Sequence, residues 1–232
     1  MHSVNYIPIP LRQRSGQMTK PIDIPTIDTR EQLEAINGQA SPSTQMKILG
    51  ALEAHSKHFI ERSPFLVIAS GNAGHLDASP RGDEPGFVKV LDDTTLLIPE
   101  RPGNRIADTL TNILGDTGVG LLLMIPGMNE TLRINGNAYI TDHAPYLEQV
   151  AHKGKAPKLV IVVDVQQVYF HCAKAFIRSG LWRHETFMPR SNMPTLGKII
   201  LEQIMGAGVT EEQVADVDAT LVQDIEENLY HK

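Results

Sequence analysis

Short apolar runs recur between Phe65 and Tyr169, and each is closed by a turn. Phe65–Ser70, His75–Arg81, Phe87–Leu91, Thr95–Ile98, Val119–Ile125, Thr131–Ile140 and Leu159–Tyr169 read as strands, with Leu159–Tyr169 rich enough in Val and Ile to be central. Gly71-Asn72-Ala73-Gly74 and Asp92-Asp93-Thr94 read as tight hairpin turns. A helix interrupts the series only once. Strands spaced by turns alone pair with their neighbours, so the pattern predicts a six- to seven-stranded antiparallel barrel. Regular alternation with helices would have indicated a parallel sheet.

Helical patterns flank the strands. Residues 1–27 contain Pro8, Pro10, Pro21 and Pro25 and read as an extended arm. Asp28 and Glu31 have capping-box spacing and predict a helix over Thr29–Ile36, stopped by Gly38. Met46, Leu49, Leu52 and Phe59 predict a second helix over Pro42–Ile60. Beyond the strands, Pro194–Met205 reads as a helix. Thr210-Glu211-Glu212-Gln213 opens another that runs to about Leu229. The expected layout is an arm with helices over 1–60, the barrel over 61–185, and a helical segment over 186–232 packed on the barrel or on a partner subunit.

Composition narrows the chemistry. Aromatics make up 5% of the chain, so the core must be mainly aliphatic. The net charge of −6 and pI near 5.8 disfavour nucleic acid as a partner. One cysteine, Cys172, excludes an internal disulfide and any CxxC metal site and suits a reducing compartment. No apolar run reaches the ~20 residues of a membrane span. Met1–Gln17 lacks the apolar core of a secretory signal, and a cytoplasmic protein is expected. GxxxxGK[ST], strand–GxGxxG–helix, GxSxG and HExxH motifs are absent. His55 and His58 have helical spacing but no acidic or cysteine partners nearby, so no metal is expected.

The segment Leu96–Leu114 carries the clearest functional signal. A strand ends at Pro99, Pro102-Gly103 turns the chain, and a helix is expected from Asn104 as N-cap, with Ile106, Leu110, Ile113 and Leu114 on one face. Arg101 and Arg105 flank a helix start where the macrodipole is already positive. Either an anion such as a phosphate sits among them, or both guanidinium groups remain in water.

Four segments, in this order and spacing, resemble the FMN-binding split-barrel family typified by pyridoxamine 5′-phosphate oxidase. They are Ala78–Asp83, Ile98–Arg105 with the following Asp108–Ile113, Ile125–Gly136, and Tyr169–Trp182. The resemblance covers roughly Pro64–Trp182. It implies a split β-barrel, FMN as cofactor, a homodimer with FMN at the subunit interface, and an oxidoreductase acting on a small organic molecule. It further implies that Arg101, Asn104 and Arg105 hold the FMN phosphate. Ser79, Arg81 and Gly82 would run beside the flavin ring, with Ile98 and Pro99 next to it. Glu130, Thr131, Lys174, Arg178 and Trp182 would complete the site from the other subunit. The neighbourhood Gly82-Asp83-Glu84-Pro85 departs from the oxidase, where a basic residue holds the substrate phosphate. Two carboxylates repel a phosphate, so pyridoxamine phosphate is not the expected substrate. A non-catalytic flavin store or redox sensor, a haem-binding relative using His171 or His184, and a deazaflavin-dependent reductase are the competing expectations. No catalytic acid or base is assigned.

Overall fold

The computed structural model describes residues 24–103 and 106–230. Asn104, Arg105 and most of the expected arm lie outside the described residues. Two compact units divide between Pro42 and Ser43. The first contains α1 (Arg30–Asn37). Its cap falls at Thr29, one residue later than the sequence predicts. The Thr29 hydroxyl accepts from the Gln32 N–H, while the Gln32 side chain reaches back to the backbone at Thr29.

The single helix expected over Pro42–Ile60 is two, α2 (Pro42–Met46) and α3 (Ala54–Arg62). Between them Leu49 exchanges both backbone hydrogen bonds with Val168, at 3.0 and 2.9 Å. The Glu53 carboxylate then restarts the helix by accepting from the His55 and Ser56 N–H groups. Pairing to a distant strand and a strong new cap together override the apolar periodicity.

Seven strands follow: β1 (Phe65–Asn72), β2 (His75–Gly82), β3 (Lys89–Val90), β4 (Thr95–Pro99), β5 (Gly118–Met124), β6 (Thr131–Thr141) and β7 (Val160–His171). They form one antiparallel sheet in the order β2-β1-β5-β6-β7-β4-β3, the architecture of a split barrel. β1 and β2 meet at Ala73-Gly74, both at positive φ as a primed two-residue turn requires. The expected strand Phe87–Leu91 shrinks to Lys89–Val90 because the chain turns at Leu91, whose N–H bonds the Thr95 carbonyl. A bulge at Asn135/Gly136 shifts the β6–β7 register. A Cβ on Gly136 would lie 2.1 Å from the Asp164 carbonyl oxygen, so glycine is required there.

The core is aliphatic, as composition demands. Leu66, Ile68, Leu96, Ile98, Leu121, Leu132, Ile134 and Ile161 are buried in it. β4 is buried on both faces: Leu96 and Ile98 enter this core, while Leu97 joins Val150 and Val160 in a smaller one. The strand is therefore fixed in position, and so is the point at Pro99 where the chain leaves it.

Five α-helices follow β4 among the described residues, the first four being α4 (Asp108–Gly115), α5 (Ala144–Gln149), α6 (Lys174–Ser179) and α7 (Leu196–Met205). The last helix, α8 (Glu211–Asn228), opens with the predicted Thr210/Gln213 capping box. α7 and α8 touch closely at Gly197, whose N–H donates to the Asp218 carboxylate at 3.0 Å. Among the described residues, no helix is long and apolar enough to cross a membrane.

Candidate functional site

β2 is an edge strand, and β4 delivers the chain into the loop before α4. Between them lies a cleft of about 1220 Å³. Its walls are Ser79–Gly82, Pro99–Gly103, Ile106–Leu110 and Lys155–Leu159, with Phe87 and Tyr230. Three of these stretches fall within the segments singled out in the sequence.

The helix after this loop starts later than expected. α4 begins at Asp108, preceded by Ala107 at φ 61 in the left-handed region. Asn104 is therefore not its cap. Its first turn carries Asp108, an acid that complements the macrodipole. The helix start still faces the cleft through Ile106–Leu110.

Two ion pairs border the cleft. In the first, Arg101 Nε lies 2.7 Å from Asp83 Oδ2, and Arg101 Nη2 donates to the Val150 carbonyl at 3.0 Å. The Asp83 side chain is 1% exposed. It also accepts from the Glu84 N–H at 2.8 Å and from the Tyr230 hydroxyl at 2.9 Å. Burial pushes the Asp83 carboxyl up, but these donors and the Arg101 charge outweigh it and hold the group below its ordinary range. The sequence reading gives Arg101 to a phosphate; in the fold its nearest anion is Asp83. The same pair corrects the expectation that Asp83 and Glu84 repel an incoming phosphate. Asp83 is buried and neutralised, and Glu84 faces Lys153 at 3.6 Å.

In the second pair, Arg81 Nη2 lies 3.0 Å from Glu100 Oε2, and Arg81 Nη1 donates to the Pro80 carbonyl. Burial raises the Glu100 carboxyl above its ordinary range, and the Arg81 charge only partly opposes this. Arg81 Nε is buried and has no hydrogen-bond partner among the described residues. A buried guanidinium N–H without a partner is costly, and a polar ligand group in the cleft would relieve that cost.

Ser79 faces the cleft, but its hydroxyl donates to Asp77, which also accepts from Thr109 at 2.5 Å. Asp77 thereby ties β2 to α4. Gly82 and Pro99 line the cleft, whereas Ile98 is fully buried in the core. Glu130, Thr131, Lys174, Arg178 and Trp182 do not line it. Thr131 is buried opposite His171, Lys174 and Arg178 are exposed on α6, and the Trp182 indole donates to the Met128 carbonyl at 2.7 Å. Sequence reasoning missed Asp77, His152, Lys155, Lys158 and Tyr230. None sits in a recognisable motif, and Tyr230 meets Asp83 across 147 residues. Among the described residues there is no cluster able to hold a metal.

The family described as Pyridoxamine 5′-phosphate oxidase matches residues 52–172, more than half of the chain, and the chain belongs to that family. Among solved structures it is similar to HupZ of Group A Streptococcus, at 19% identity over 50% of this chain and 91% of that one, with a TM-score of 0.42. It is also similar to an FMN-binding protein of Syntrophomonas wolfei, at 9% identity over 50% and 87% of the two chains, TM-score 0.37. An FAD-binding protein of Mycobacterium smegmatis aligns at 12% identity over 53% and 97%, TM-score 0.38. No curated protein matches the chain.

Proposed function

We propose that the protein binds FMN in the cleft between β2 and the loop after β4 and acts as an FMN-dependent oxidoreductase on a small organic substrate. The observation that carries this reading is Arg81 Nε, a buried donor without a partner among the described residues, on the wall of a cleft of about 1220 Å³. That volume is on the scale of small-molecule pockets, roughly 300–1,000 Å³, and suits a mononucleotide. Ser79, Arg81, Gly82 and Pro99 hold the ring end. Asn104 and Arg105 would hold the phosphate together with the start of α4, and Arg101 is held on the cleft wall by Asp83.

Bound FMN would supply hydride or electron transfer between the substrate and an acceptor such as oxygen; the protein provides position and electrostatics. Pyridoxamine phosphate is not the substrate in this reading. Arg101 and Lys153, which reach Asp83 and Glu84, already face those carboxylates. The working form is a homodimer in the cytoplasm, in which Glu130, Thr131, Lys174, Arg178 and Trp182 of a second subunit complete the site.

The test is an absorption spectrum of the purified protein, mass identification of the chromophore released on denaturation, and a steady-state assay with a reductant and oxygen. A flavin spectrum with sustained turnover is expected. Bound flavin without turnover leaves a store or sensor, and a haem spectrum without flavin removes the reading.

A further inference from the structure

Tyr230, just beyond α8, is held in three ways. Its hydroxyl donates to Asp83 at 2.9 Å, its ring stacks on His152 at 4.2 Å and 11°, and the Arg101 guanidinium lies 5.9 Å from its centroid. The acceptor is a carboxylate that is 1% exposed and already charged through Arg101, so the hydroxyl makes a charge-assisted bond out of water. Burial and the bond to Asp83 both raise the Tyr230 hydroxyl above its ordinary range, keeping it protonated and able to donate. By contrast, no residue of α8 is buried, and Val222, Ile225 and Leu229 are each more than half exposed. The helix is half-buried along Val214, Val217 and Leu221, where it meets α7, but its C-terminal end is exposed, and the residue after it is fastened to the buried Asp83 carboxylate. Tyr230 is also part of the cleft wall.

We propose that the segment carrying Tyr230 is a latched strap over the cleft, and that its release from Asp83 and His152 governs how fast a ligand enters and leaves. This rests on the reading of the cleft as an FMN site for the choice of probe. When the latch is closed, Tyr230 walls the ligand in and keeps Arg101 oriented. When it opens, the C-terminal end of α8 is released and that wall of the cleft is gone.

The experiment compares the full-length protein with Tyr230→Phe, which keeps the ring and removes the hydroxyl, and with Tyr230→Ala, which removes both. Backbone hydrogen exchange without ligand is the first measurement. Amides of 211–230 should exchange about tenfold faster in Tyr230→Ala and less so in Tyr230→Phe, the size expected for losing a hydrogen bond to a charged group. Amides of β6 and β7 should not change. The second is the dissociation rate of FMN, which should rise in the same order, again by about tenfold for Tyr230→Ala. Unchanged exchange over α8 overturns the latch. Faster exchange with an unchanged FMN rate overturns its control of the cleft. If the wild type binds no FMN, the proposed cofactor fails and control of its release fails with it, while the exchange data still decide whether the latch exists.

Discussion

Arg101 and Arg81 border the same cleft and are served in opposite ways. Arg101 places its Nε and Nη2 on Asp83 and the Val150 carbonyl, and Asp83 takes two further donors, so the Arg101–Asp83 pair itself is satisfied. Arg81 has one carboxylate partner and keeps a buried Nε without a hydrogen bond among the described residues. The first arrangement is what a fold does to fix a loop. The second leaves a buried donor that, in the proposed reading, a bound ligand would engage. Two arginines that look alike in sequence therefore differ in how far the fold satisfies them, and the proposed reading gives the less satisfied one to the ligand.

The contrast predicts unequal losses. Asp83→Asn strands a largely buried guanidinium and should cost about 3–5 kcal/mol of stability in urea denaturation. A loss below ~1 kcal/mol would mean the pair is not structural. The acid dependence follows from the same group. Because the folded Asp83 carboxyl is held low, its contribution is complete above the unfolded value near pH 3.9 and is lost as pH falls through the lower folded value. Asp83→Asn should flatten that acid limb. Glu100 has the opposite sign. Its folded carboxyl is raised, so its contribution is present below about pH 4.3 and declines as pH rises through the higher folded value. Stability against pH for Glu100→Gln should lack that decline.

Arg81→Ala should spare most of the stability and weaken FMN by about 1.5–3 kcal/mol in a binding titration. An unchanged affinity would remove Arg81 from the ligand side of the comparison. Arg105→Ala is expected to weaken FMN by a similar ~1.5–3 kcal/mol, read in the same titration. The smallest effect belongs to Ser79→Ala. Losing one bond to Asp77 should cost about 0.5–1.5 kcal/mol of thermal or urea stability.

The strands were legible because the chain alternates and turns locally; all seven occur in the expected order. The last helix was legible for the same reason, since the Thr210/Gln213 box is a four-residue signal. What failed locally was overridden from afar. Leu49 gives up helix to pair with Val168, and the α4 start moves to Asp108 behind a left-handed Ala107 that no periodicity reveals. The cleft's position was visible in the Ser79–Gly82 and Pro99–Gly103 segments. The division of labour between its arginines was not, because Asp83 lies 18 residues from Arg101 and reads in sequence as a surface acid. His152 and Tyr230 reach that corner only through the fold.

The most direct test of the central claim is a fluorescence titration of FMN with the wild-type protein and Arg81→Ala side by side. Saturable binding by the wild type that weakens at least tenfold in Arg81→Ala is the predicted result. The account is contradicted if the wild type fails to bind FMN, or if both proteins bind it equally well.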